Sequence, residues 1–144
     1  AVAAVVVGAR GRGWRGTVVV LDGSEGGRGR EQATALAASG PTLSQPDATA
    51  PRWLEGAAVV VAVGADAVGR RRFVNCVGTR ALLELAAARR LPRLLVADRG
   101  KDVAEAAIDE LVARAPTRRE AADREWPLLE SVPLALVTAR LSGE

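Results

Sequence analysis

A chain of 144 residues is one domain's worth of sequence, and at 49% hydrophobic it carries enough apolar side chain for a core. Aromatics make up only 3%, so Val, Leu and Ala must build that core. Histidine is absent and Cys76 is the single cysteine. That excludes an internal disulfide, the multi-cysteine metal sites and the commonest general base, so no metal is expected.

The net charge of +3 says little about partners. Lys101 is the only lysine, and Tyr and Met are missing, as in the product of a GC-rich gene. Acidic residues are interspersed with the arginines from Asp22 onward, and no basic run is interleaved with aromatics, so no nucleic-acid face is expected. The longest apolar runs, Ala1 to Val7 and Ala57 to Val63, are strand-sized and well below the ~20 residues that span a bilayer. The chain is therefore not expected to be transmembrane itself. Without a methionine it reads as processed or partial. Residues 1–16 carry Arg10, Arg12 and Arg15 and no acid, as the end of a chloroplast or mitochondrial targeting segment does.

Taken in order, residues 1–16 form an Ala/Val run and a Gly/Arg loop outside the main domain at 17–144. The Val2 to Val7 stretch must add to a sheet edge or bury against a partner. Thr17 to Leu21 is β-branched and apolar throughout, the pattern of a buried parallel strand. A Gly-rich turn follows, then a helix from Arg30 to Ser39, closed by Gly40 and Pro41. Pro41 to Gln45 is a short strand, Pro51 to Glu55 one helical turn, and Ala58 to Val63 the second strong strand. Val74, Val77, Ala81, Leu85 and Ala88 step by three and four, which predicts a helix over 73–90, stopped by Pro92. Arg93 to Ala97 reads as a strand and Asp102 to Arg114 as a helix. Thr117 and Glu120 have capping-box spacing, predicting a helix from there to Trp126. Pro133 to Thr138 is the last strand. Strands alternating with helices give an α/β fold with a mostly parallel sheet.

The strongest local signal is the glycine loop. The strand ending at Leu21 runs into Gly23, Gly26, Gly27 and Gly29, and a helix follows. Such glycines admit a pyrophosphate to the helix N-terminus, where free N–H groups and the dipole favour an anion. The same glycines also suit a tight strand-to-helix turn that holds nothing.

Asp22-Gly-Ser-Glu-Gly-Gly-Arg-Gly29 resembles the cofactor loop of the short-chain dehydrogenase/reductases, in their extended and atypical, NmrA-like branch. Asp47-Ala-Thr with Leu54 to Val61 is similar to that family's entry into its fourth strand. Val74-Asn-Cys-Val-Gly-Thr-Arg-Ala-Leu-Leu-Glu84 is similar to its Asn-x-x-Gly-Thr helix. Arg93 to Ala97 and Val137 to Arg140 resemble its fifth and sixth strands. The resemblance implies a Rossmann-type doubly wound sheet, shortened between Gly40 and Asp47. It implies that any NAD or NADP would lie against Gly23, Gly26, Gly27, Gly29, Asp47 and Gly64. By spacing alone Asp47 is the ribose-reading acid; the family pattern puts it beside the adenine.

The family's catalytic residues are missing. Asp98 and Arg99 stand where its serine belongs, and without tyrosine no Tyr-x-x-x-Lys pair exists. The expectation is therefore a non-catalytic accessory subunit of a larger protein assembly, such as an organellar membrane complex, with no stoichiometric NAD(P). Two alternatives stand beside it. One is an NAD(P)-dependent oxidoreductase using Asp98 as a non-standard acid. The other is an arginine-mediated nucleic-acid module centred on Arg70, Arg71 and Arg72.

Overall fold

The computed structural model describes residues 1–23, 28–56, 58–120 and 124–142, and it is α/β, of Rossmann-like type. Two compact units divide the chain, Ala1–Val59 and Val60–Glu144.

The first unit opens with helix α1 (Val2–Gly11), followed by β1 (Val18–Leu21), α2 (Arg28–Ala37) and β2 (Thr42–Gln45). β1 and β2 pair in parallel, Val18 opposite Thr42 through Leu21 opposite Gln45. A 3-10 turn (Asp47–Thr49) and the short α3 (Ala50–Trp53) close the unit. Ala33 and Leu36, three apart on α2, bury against Val20, with Ala3 and Val6 of α1 packed on the same cluster.

The Ala/Val run is thus a helix and not an edge strand. Its alanines favour helix, and the far end is held by a buried guanidinium. Arg10 is only 6% exposed. It donates to the carbonyls of Leu36 and Pro41 and to the hydroxyls of Ser39 and Thr42. The Leu36 carbonyl belongs to the last turn of α2, where a cation is favoured by the dipole. Gly40 is needed opposite it: φ there is +150°, and a Cβ would stand 2.9 Å from Arg10 Nε.

The second unit contains β3 (Val61–Val63), β4 (Ala67–Val68), β5 (Arg72–Cys76), α4 (Thr79–Ala88), β6 (Arg93–Val96), α5 (Glu105–Ala113), β7 (Thr117–Glu120), β8 (Arg124–Pro127), β9 (Leu129–Pro133) and β10 (Ala139–Leu141). β3 and β10 flank β6, both parallel to it. β5 lies between β4 and β9, antiparallel to both, and β7 pairs with β8 as an antiparallel ribbon. Phe73, Val74, Leu83, Leu95, Val96, Ile108 and Val132 are fully buried.

Three expected elements are corrected here. The helix placed at 73–90 is a strand, a turn and a shorter helix. Phe73 and Val74 pair with Val68 and Ala67 on one side and with Val132 and Ser131 on the other. Gly78, at φ +101°, lets the chain turn into α4. The helix placed at Thr117 to Trp126 is the β7–β8 ribbon. The last strand begins at Ala139, because Leu134–Leu136 is a 3-10 turn.

α4 ends in a Schellman motif, with Leu91 N–H on Ala86 O and Arg90 N–H on Ala87 O. Arg90 holds the left-handed position at φ 57°, where glycine is usual. A side chain there costs ~1 kcal/mol.

Candidate functional site

The expected cofactor residues fall in different places. In the first unit, Gly23 turns the chain out of β1 at φ +64°, and its N–H donates to Asp47 Oδ1 at 3.0 Å. Asp47 therefore caps the turn from 24 residues away. Gly29 lies in the first turn of α2. A Cβ there would come within 2.5 Å of the Asp22 carbonyl carbon, so the bare Cα is used by the chain's own backbone. Gly26 and Gly27 lie outside the described residues. Gly64, in the second unit, follows β3.

In the second unit, polar side chains gather where β5 enters α4. Asn75 Nδ2 donates to Thr79 Oγ1 at 3.1 Å, and Cys76 Sγ is 3.6 Å from the same hydroxyl. Asn75 is on a strand, not in a helix's first turn. Thr79 is buried, whereas Cys76 is exposed. The Arg80 N–H, second in α4, donates to Glu130 Oε1 at 2.9 Å. Glu130 sits on β9, opposite Asn75. The positive end of α4 is thus neutralised by the chain's own carboxylate.

Beyond β6, Arg140 gathers the next loop. Its guanidinium donates to the carbonyls of Ala97 and Asp98 and pairs with Asp102 Oδ1 at 2.6 Å. Asp98 is exposed, bonded to Arg140 only through its backbone.

Arg72 is taken by carboxylates of α5. It contacts both oxygens of Asp109, at 2.7 and 3.1 Å, and Glu105 Oε1 at 2.7 Å, while Glu105 Oε2 accepts the Arg71 N–H. The bonds to Asp109 and Glu105 raise the Arg72 pKa above its ordinary value. Bonds from Arg72 lower those of Asp109 and Glu105, with the Arg71 N–H adding to the effect on Glu105. In the run on which the nucleic-acid alternative rests, Arg72 pins the β4–β5 turn to α5. Among the described residues no cluster of His, Cys, Asp and Glu suits a metal, and no helix is long and apolar enough to cross a membrane.

Sequence reasoning missed Glu130, Asp109 and the reach of Arg140. Each acts across a sequence separation of at least 37 residues, with no local signal.

No family model and no curated protein sequence matches the chain. Solved structures do. It is similar to the Pyrococcus horikoshii OT3 translation initiation factor eIF-2B, at TM-score 0.81 and 20% identity, over 96% of this chain and 51% of that one. It is similar to the delta subunit of eIF-2B from A. fulgidus, at TM-score 0.83 and 18% identity, over 96% and 45%. A 5-methylthioribose 1-phosphate isomerase from P. horikoshii OT3 has TM-score 0.60 at 16% identity, over 97% and 54%. The chain spans about half the length of these proteins.

The shared feature is the fold, that of eIF-2B subunits and a sugar-phosphate isomerase. This overturns the short-chain dehydrogenase/reductase resemblance. It also overturns the reading as a dehydrogenase-like pseudoenzyme subunit and the oxidoreductase alternative built on Asp98. The glycine-rich sequence between β1 and α2 and the Asn-x-x-Gly-Thr segment are short signals that this fold also carries.

Proposed function

We propose that this chain is the α/β portion of an eIF-2B-like subunit, working by binding other proteins in a translation-initiation assembly and not by isomerising a sugar phosphate. A structure of similar fold is a tetrameric eIF2B-beta2-delta2 complex from C. thermophilum. The observation that carries the choice is Glu130. An anionic substrate gains from free N–H groups at a helix start, and at α4 the Arg80 N–H already serves a carboxylate. A phosphate placed there would meet like charge.

The deciding experiment has two arms. The tagged chain is purified from its own cells and the complex is weighed by native mass spectrometry. In parallel the chain is incubated with 5-methylthioribose 1-phosphate and followed by NMR. The proposal expects a defined complex containing translation-initiation subunits and no conversion of the sugar. Turnover by a chain found without partners would overturn it.

The absence of a resident dinucleotide belongs to the same proposal. The Gly23 N–H is engaged by Asp47, and the space beside Gly29 is filled by the Asp22 backbone. Calorimetry with NADH and NADPH should give no saturable heat; a micromolar dissociation constant would refute this part alone.

A further inference from the structure

We infer that the cleft at the end of α4 is a docking site for an acidic segment of a protein partner. The inference rests on the protein-binding reading above and supplies the partner's chemistry. The cleft has a volume of about 410 Å³ and is lined by Ala87, Arg90, Leu91, Pro92, Arg93 and Thr138. It lies where β6 and β10 begin, at the opposite end of β6 from Asp98.

Three features give the cleft its character. First, Arg93 is a fixed donor: its Nε is held by the Leu136 carbonyl and one Nη by the Leu91 carbonyl. A guanidinium immobilised in this way loses little freedom when it binds a carboxylate. Second, the Arg90 side chain is not needed to end the helix. Backbone N–H groups already satisfy the Ala86 and Ala87 carbonyls, and the position favours glycine. Third, no carboxylate among the described residues pairs with Arg89, Arg90 or Arg93, whereas Arg72 has two and Arg80 and Arg140 have one each.

Two guanidinium groups beside a small apolar strip at Ala87 and Pro92, with Leu91 itself buried, match a peptide carrying Asp or Glu next to small apolar residues. A nucleic-acid strand is disfavoured, because no aromatic lines the cleft on which a base could stack.

The probe is a short fluorescein-labelled peptide of Asp and Glu with leucines between them, read by polarisation against the full chain. Its Asn/Gln counterpart and a single-stranded oligonucleotide are the controls. The acidic peptide should bind, with affinity falling as salt rises. Arg90→Gly should weaken it about fivefold, or about 1 kcal/mol, while raising the melting temperature, so that lost binding is not lost fold. Amide NMR shifts on adding the peptide should concentrate at Arg90 and Thr138. No binding to the wild type, unchanged binding to Arg90→Gly, or preference for the oligonucleotide would overturn the inference. The composition of the native complex is measured separately, so the protein-binding reading can survive its failure.

Discussion

Gly29 distinguishes a glycine that serves a ligand from one that serves the fold. Replacing it with alanine puts a Cβ 2.5 Å from the Asp22 carbonyl carbon, where ordinary contact begins at 3.4 Å. Backbone on one side must move by roughly 0.9 Å. Asp22 resists, because its N–H extends the β1–β2 pairing to Gln45 O at 2.9 Å. Overpacking of this kind costs about 1–3 kcal/mol. Helix propensity returns up to ~1 kcal/mol, less in a first turn. The net expectation for Gly29→Ala is a loss of about 1–2 kcal/mol, or a melting point lower by roughly 4–8 °C. Gly8 is the matched control. It lies inside α1, and an added Cβ would meet only the Arg12 guanidinium, at 3.5 Å. Gly8→Ala should therefore stabilise by about 0.5–1 kcal/mol. Urea unfolding followed by circular dichroism reads both. If Gly29→Ala is as stable as wild type while Gly8→Ala gains, the close approach to Asp22 is not what holds that position. A ligand role for the glycine would then regain its force.

Three further outcomes follow from the second unit. Phe73→Ala empties a fully buried site and should cost about 3–5 kcal/mol by the same unfolding assay. Glu130→Ala frees the Arg80 N–H and should cost about 1 kcal/mol, whereas Glu130→Gln keeps an acceptor and should cost less. Glu105 and Asp109 have lowered pKa values in the folded chain, so their contribution is present above the ordinary carboxylate range. It fades as pH falls through about 4 and into the depressed range below. Arg72→Met should flatten that part of the stability–pH curve, and an unchanged curve would show that the Arg72 contacts do not hold in solution.

The first unit was the more legible in sequence from β1 onward. Thr17 to Leu21, the helix after the glycines and the stop at Gly40-Pro41 are local signals, and each lies within a residue or two of its element. In two of the misreadings, strand pairing won over a helical pattern. Val74 and Val77 step correctly into the stripe of α4, yet Val74 is held in a strand by Ala67 and Ser131, the latter 57 residues on. Thr117 and Glu120 have the spacing of a helix cap, but Pro127 to Arg124 pair across from them as a strand. In the first case a distant strand overrode local periodicity, and in the second a neighbouring strand of the same hairpin did. The α4 anion position was illegible for a related reason. Its carboxylate arrives on β9, a strand that no periodicity marks. The family resemblance failed because its motifs are short turns that different α/β folds share.

Arg10 has a bearing on the order in which the chain folds. Its guanidinium partners lie 26 to 32 residues further on, at Leu36, Ser39, Pro41 and Thr42. On the ribosome, α1 must therefore wait, with its charged end solvated, until Thr42 has left the exit tunnel. Nothing later is required of the contacts that Arg10 makes, so the first unit can close on itself while the residues of the second are still being made. A pause in synthesis after Thr42 has emerged should be harmless. A pause before it emerges would hold an apolar Ala/Val helix open to whatever else is near.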